Sequence, residues 1–155
     1  MAYSESDIKA FPKHIQDQIY LEQRKRAKPT TCKGVTELRI EIPEVAPMLN
    51  GKGGLMRMHW TKRRKLQEKW TRLISRVTNA QLKGRVGIIY VRSSVTAPDW
   101  DNLCASFKTI GDALVANKVI KDDNPGIVVE FIPKWRKAKN NDDLKTIIEI
   151  TNFND

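Results

Sequence analysis

At 155 residues the chain is long enough to bury a core and short enough for one domain. Its 40% apolar and 30% charged residues exclude wholesale disorder, and 28 Lys+Arg against 18 Asp+Glu leave a formal net charge of +10. The apolar runs fall far short of the ~20 residues that span a bilayer and no apolar signal core opens the chain, so a cytoplasmic protein with no membrane partner is expected. The positive surplus favours a polyanionic partner, because neutralising phosphates releases condensed counterions. Cys32 and Cys104 lack Cys-x-x-Cys or Cys/His spacing, which argues against zinc and redox motifs. Both read as reduced thiols, with Cys104 packed.

The expected organisation is an N-terminal extension over residues 1–32 followed by one domain over 33–155. In the extension, Pro12 can open a helix, Ile15 and Ile19 repeat at i,i+4, and Arg24-Lys25-Arg26 add charge near its end. Thr36 to Ile42 alternates polar and apolar residues, the period of a half-buried strand. Next comes Asn50-Gly51-Lys52-Gly53-Gly54, whose glycines suit a hairpin or a flexible loop. It lacks the order of a P-loop, so no nucleotide cofactor is expected.

His59 to Leu82 is the first long helix, because Leu66, Trp70, Leu73 and Val77 recur at steps of four, three and four. Thr61 could cap its start. From Arg57 to Arg76 there are eight Lys or Arg residues against the single acid Glu68. Charge of one sign interleaved with Trp60 and Trp70 suits phosphate contact, and Lys52, Arg57, Lys62, Arg63, Arg64 and Lys65 are the candidate DNA-binding residues. Lone His59 reads as structural or phosphate-contacting. Arg85 to Arg92 is a buried strand by its β-branched and aromatic content. Ile127 to Ile132 and Thr146 to Thr151 are further strands, joined by the basic, polar segment 134–143. The sum is an α+β domain with two main helices packed on a mixed or antiparallel sheet.

Between the second strand and the third lies Pro98 to Asp123, a concentration of carboxylates in a basic chain. As a helix, 101–117 would bury Leu103, Phe107, Ile110 and Leu114 and display Asp101, Ala105, Lys108 and Asp112 on the opposite side. Asp112 would then lie roughly 16 Å along the axis from Asp101, too far to share its metal, and at pairing distance from Lys108. Asp99 and Asp101, two apart in extended backbone, would point the same way and repel without a cation. An all-oxygen site selects hard ions, Mg²⁺ or Mn²⁺, and Asp122 or Asp123 could complete it. Asp101 alone suits a helix cap and Asp122 to Gly126 a plain turn. Their clustering favours ligands.

Asp99-Trp100-Asp101-Asn102-Leu103, Lys108, Asp112-Ala113-Leu114 and Ile120-Lys121-Asp122-Asp123 together resemble the D-x-D-N…K…D-x-L…D-D signature of RusA-type Holliday-junction resolvases. Many members of that family are phage or prophage encoded. Pro47-Met48-Leu49-Asn50-Gly51 resembles the family's P-x-x-N-G loop, so the resemblance spans roughly residues 47–130. It implies a dimeric, metal-dependent endonuclease that nicks four-way DNA junctions symmetrically, in recombination and repair. Asp99, Asp101 and Asp123 match the family's three essential acids, and Lys108 matches its catalytic lysine counted back from Asp112. In the family pattern the lysine follows the second Asp by about one helical turn; here Ala105 holds that place and Lys108 comes three residues later.

The expected chemistry is phosphodiester hydrolysis, with Asp99, Asp101 and Asp123 holding one or two Mg²⁺ and Lys108 on the phosphate or leaving group. Asp112, Asp122 and Asn50 are supporting residues. The expected partners are branched DNA and a second copy of the chain. The rivals are a non-catalytic nucleic-acid-binding module and a nuclease acting on flaps, forks or RNA.

Overall fold

The structure, a computed structural model, describes Pro12 and residues 38–153. The latter lie within the compact unit that runs from Gly34 to Asp155. The expected N-terminal helix, the boundary near residue 32 and Cys32 fall outside the described residues.

Strand β1 (Leu38–Ile42) keeps the alternation of its sequence, with Ile40 and Ile42 buried and Arg39 and Glu41 exposed. Helix α1 (Trp60–Val77) leads to β2 (Arg85–Ser94), α2 (Trp100–Ala116), β3 (Val128–Lys137) and β4 (Lys145–Phe153). The sheet order is β1-β4-β2-β3, with β2 parallel to β3 and both other pairings antiparallel. The architecture is α+β with a mixed sheet. Ile40, Ile42, Val86, Ile88, Tyr90, Ile148 and Ile150 form one core with Trp70 and Ile74 of α1 and Leu103, Ile110 and Leu114 of α2. These strand residues recur at every second position, so both helices cover one face of the sheet.

Several boundaries differ from the sequence reading. Helix α1 ends at Val77, and its last buried residue is Ile74, while Val77 is half exposed. Its cap is His59, whose Nδ1 accepts from the Thr61 amide at 3.3 Å and pairs with the Thr61 hydroxyl at 2.9 Å. Thr61 thus supports the cap and does not supply it. Strand β3 runs on through Pro133 to Lys137, into the first four residues of the segment expected to be a linker. Because β3 is an edge strand paired only with β2, a proline and the charges Lys134, Arg136 and Lys137 are tolerated there.

The loop before α1 is neither a hairpin nor a loose link. Gly51 and Gly53 adopt positive φ, and Leu55 and Met56 donate to the carbonyls of Met48 and Leu49 at 2.9 and 3.0 Å. At Gly54 a Cβ would lie 2.6 Å from the Asn50 carbonyl oxygen, so only glycine fits.

The two helices run in the same direction. Gln67 Nε2 donates to the Thr109 carbonyl at 3.2 Å, and further along in the same sense on both helices Asn117 Nδ2, at the C-cap of α2, donates to the Thr71 carbonyl at 2.9 Å. Both N-termini therefore open at one end of the helix layer. Trp70, fully buried in the core, and Trp60, 65% exposed at the start of α1, separate the two roles of tryptophan on that helix. Trp70→Ala is expected to cost about 3–5 kcal/mol in denaturant unfolding, against within about 0.5 kcal/mol for Trp60→Ala.

Candidate functional site

Helix α2 is seated on β2 by a buried relay: Tyr90 Oη lies 2.8 Å from Ser106 Oγ, which donates to the Leu103 carbonyl at 2.7 Å. Burial pushes the Tyr90 phenol above its ordinary value, which keeps it neutral. The seat commits Leu103, Ser106, Ile110, Gly111 and Leu114 to the interior and leaves Asp101 and Lys108 exposed. The predicted division into an apolar face and a displayed line of charge holds.

Asp99 is the N-cap of α2: its carboxylate accepts from the Asn102 amide at 2.8 Å and from Asn102 Nδ2 at 3.3 Å. Asp101 sits inside the first turn, so the two acids are not an extended pair pointing one way. Two residues in a helix subtend about 200°, which turns Asp101 away from the direction that extended backbone would give it. Among the described residues the Asp101 carboxylate has no hydrogen bond or ion pair. Asn102 was missed by the reading of charge alone. Its Oδ1 accepts from the Asn50 amide at 3.0 Å, tying the glycine loop to the start of α2.

The other acids gather about two to three turns further along α2, around Lys108. Lys108 Nζ donates to Asp112 Oδ1 at 2.7 Å and to Asp123 Oδ2 at 2.9 Å. The expected Lys108–Asp112 pair is present, and the turn carrying Asp123 has come alongside it. Asp122 builds that turn: it accepts from the Asp123 amide at 2.7 Å and from Asn124 Nδ2 at 2.6 Å. Asn124 in turn accepts from the Gly126 amide at 2.9 Å. Of the adjacent acids, Asp122 is used in structure and Asp123 is presented to the lysine. A Cβ at Gly111 would press on the Phe107 ring at 3.2 Å but make only ordinary contact with Asp123 Oδ2 at 3.7 Å, so glycine there serves the aromatic packing.

Beside the ammonium is a pocket of about 300 Å³ lined by Cys104, Phe107, Lys108, Asp123, Pro125, Val128 and Phe131. Phe107 and Phe131 meet with ring centroids 4.7 Å apart. Cys104 is exposed at this pocket rather than packed, because it lies one position off the buried stripe of α2.

The basic residues separate by what they already hold. Arg63 donates from Nε to the Met58 carbonyl at 3.0 Å and brackets the loop, and Arg64 pairs with Glu68 at 3.2 Å. The side chains of Lys52, Arg57, Lys62 and Lys65 are exposed and make no hydrogen bond or ion pair among the described residues.

The donor chemistry fits a hard divalent ion, since all three candidate ligands are carboxylates and each oxygen bonded in this structure keeps a second lone pair. Among the described residues, however, no three His, Cys, Asp or Glu side chains stand together as a metal group. No protein-family model matches the chain, and no curated protein matches it in sequence. Among the described residues no helix is long and apolar enough to cross a membrane.

The hydrogen bonds that Lys108 donates to Asp112 and then to Asp123 raise its pKa above the ordinary value, and the same bond to Asp123 holds that carboxyl below the usual carboxylate range. The contribution of Asp123 to stability is thus present above its ordinary value of 3.8 and lost as pH falls through the depressed value. That of Lys108 is present below 10.5 and lost as pH rises through the raised value. Lys108→Met should move the Asp123 carboxyl titration, followed by carbon NMR, upward toward the ordinary value. An unmoved titration would mean that the contact does not persist in solution.

Proposed function

We propose that the protein is a metal-dependent, structure-selective endodeoxyribonuclease acting on four-way DNA junctions as a dimer. The observation that supports this best is the Asp112–Lys108–Asp123 contact on the helix whose first turn displays Asp101. The side chains of Lys108 and Asp112 are 63% and 41% exposed, and exposed ion pairs contribute only about 0–1 kcal/mol to stability. Stability is therefore a weak reason for two carboxylates to converge on one ammonium, and chemistry at a phosphate is a better one.

Lys108 carries three donors, of which two are taken, and the third is free for a phosphate oxygen. Its raised pKa keeps it protonated near neutrality, which suits electrostatic binding of a phosphate oxygen and not the role of a general base. Asp99, Asp101 and Asp123 would hold Mg²⁺ or Mn²⁺, which requires Asp123 to leave the ammonium that it shares with Asp112 and come to the first turn of α2. When bound, such an ion activates water and draws charge from the scissile phosphate. Arg57, Lys62 and Lys65, together with Lys52 on the loop, would follow the phosphate backbone without reading bases.

A second reading, a nucleic-acid-binding module without catalysis, is favoured by the use of Asp99 as a helix cap and by the separation of the acids. Cleavage decides between the two. Asp101→Asn should abolish Mg²⁺-dependent nicking of a four-way junction while binding stays near wild type; wild-type cutting by this variant would sink the metal-site assignment. Flaps, forks and RNA in the same panel test the substrate. Lys62→Ala with Lys65→Ala should reduce the log-log salt slope of binding by about 2, and an unchanged slope would move the DNA surface elsewhere.

A further inference from the structure

Three of the large apolar side chains that stand exposed, Met56 (65%), Trp60 (65%) and Trp100 (70%), belong to the end of the helix layer where α1 and α2 begin. Trp60 is the first residue of α1 after its cap His59, and Trp100 the first of α2 after its cap Asp99. The parallel course of the helices brings these two starts to one side. The loop joins them: Met56 donates to the Leu49 carbonyl, and the next residue, Asn50, donates to Asn102. Neither indole contributes to the core, and the same chain buries Trp70 completely.

We propose that Trp60 and Trp100 form a stacking platform for nucleobase faces exposed at a DNA branch point, an inference that rests on the nucleic-acid reading above. An indole can stack only on a base whose own neighbour is missing. Duplex interiors offer no such face from the side, whereas branch points do. Each base–aromatic stack is tolerant of sequence, so the platform would select structure and not base identity.

Charge identifies the occupant. Exposed Lys62 and Lys65 follow Trp60 within the first turns of α1 and exposed Lys52 lies on the loop tied to α2, and lysine is depleted in the centres of protein–protein interfaces while it suits a phosphate backbone. Placed beside the first turn of α2, the platform would also bring the branch point to Asp101.

The test compares binding in EDTA to a four-way junction and to a relaxed, covalently closed duplex circle, which has no terminal base face. Trp60→Ala and Trp100→Ala should each weaken junction binding about ten-fold and leave the circle within about two-fold. Trp100→Phe should restore most of the loss and Trp100→Leu should not. Thermal melting checks that the variants fold. 2-Aminopurine at the branch should be quenched by the wild type and less so by Trp100→Ala.

Equal losses on both DNAs would overturn the platform, as would a wild type with no preference for the junction. Unchanged junction binding with altered sedimentation would overturn it in favour of a second protein copy on the patch. A wild type that selects junctions but does not cut them in Mg²⁺ would sink the endonuclease reading and leave the platform standing. One that cuts, with alanine variants of unaltered selectivity, would sink the platform alone.

Discussion

Two parallel strands cannot be joined by a tight turn, and the parallel pairing of β2 with β3 therefore requires a crossover segment. Helix α2 is that segment. Its seat on β2 through Tyr90, Ser106 and Leu103 decides which side faces the sheet, and so which residues are left outside. Asp99 and Asp101 lie where the chain leaves β2, and Asp123 lies where it turns back toward β3. The acids of the 98–123 stretch are the punctuation of one crossover.

That origin explains why structural and chemical roles are so mixed there. Asp99 closes the helix start, Asp122 and Asn124 build the return turn, and Asp112 holds a lysine one turn away. Each would be unremarkable alone. What distinguishes the site is that Lys108, exposed and not needed for the core, gathers two carboxylates while the Asp101 carboxylate has no partner among the described residues. In the resemblance to RusA-type resolvases the lysine stood three residues late. Here those residues bring Lys108 level with Asp112 and the Asp123 turn.

The helix layer adds a second organising feature. Because α1 and α2 run in the same direction, basic residues at the start of α1 and acids at the start of α2 share one end of the molecule. The cations along the start of α1 repel one another, as do Asp99 and Asp101; a polyanion would relieve the first repulsion and a divalent ion the second, which is the physical content of the proposed function.

By itself the sequence determined the periodic elements: alternation in β1, the apolar stripe of α2, the β-branched run of β2, and the Lys108–Asp112 pair, since both members lie on one helix. These are local, set by residues a few positions apart. Its errors were also local in cause. Pro133 and its neighbouring charges masked the second half of β3, because edge pairing rather than composition permits them, and Cys104 was judged without the exact phase of the stripe. Only the tertiary structure decided that the sheet is mixed, that Asp123 reaches Lys108, and that Asn50 is tied to Asn102. Each of these contacts joins residues distant in sequence, and their partners are selected by how the helices pack on the sheet.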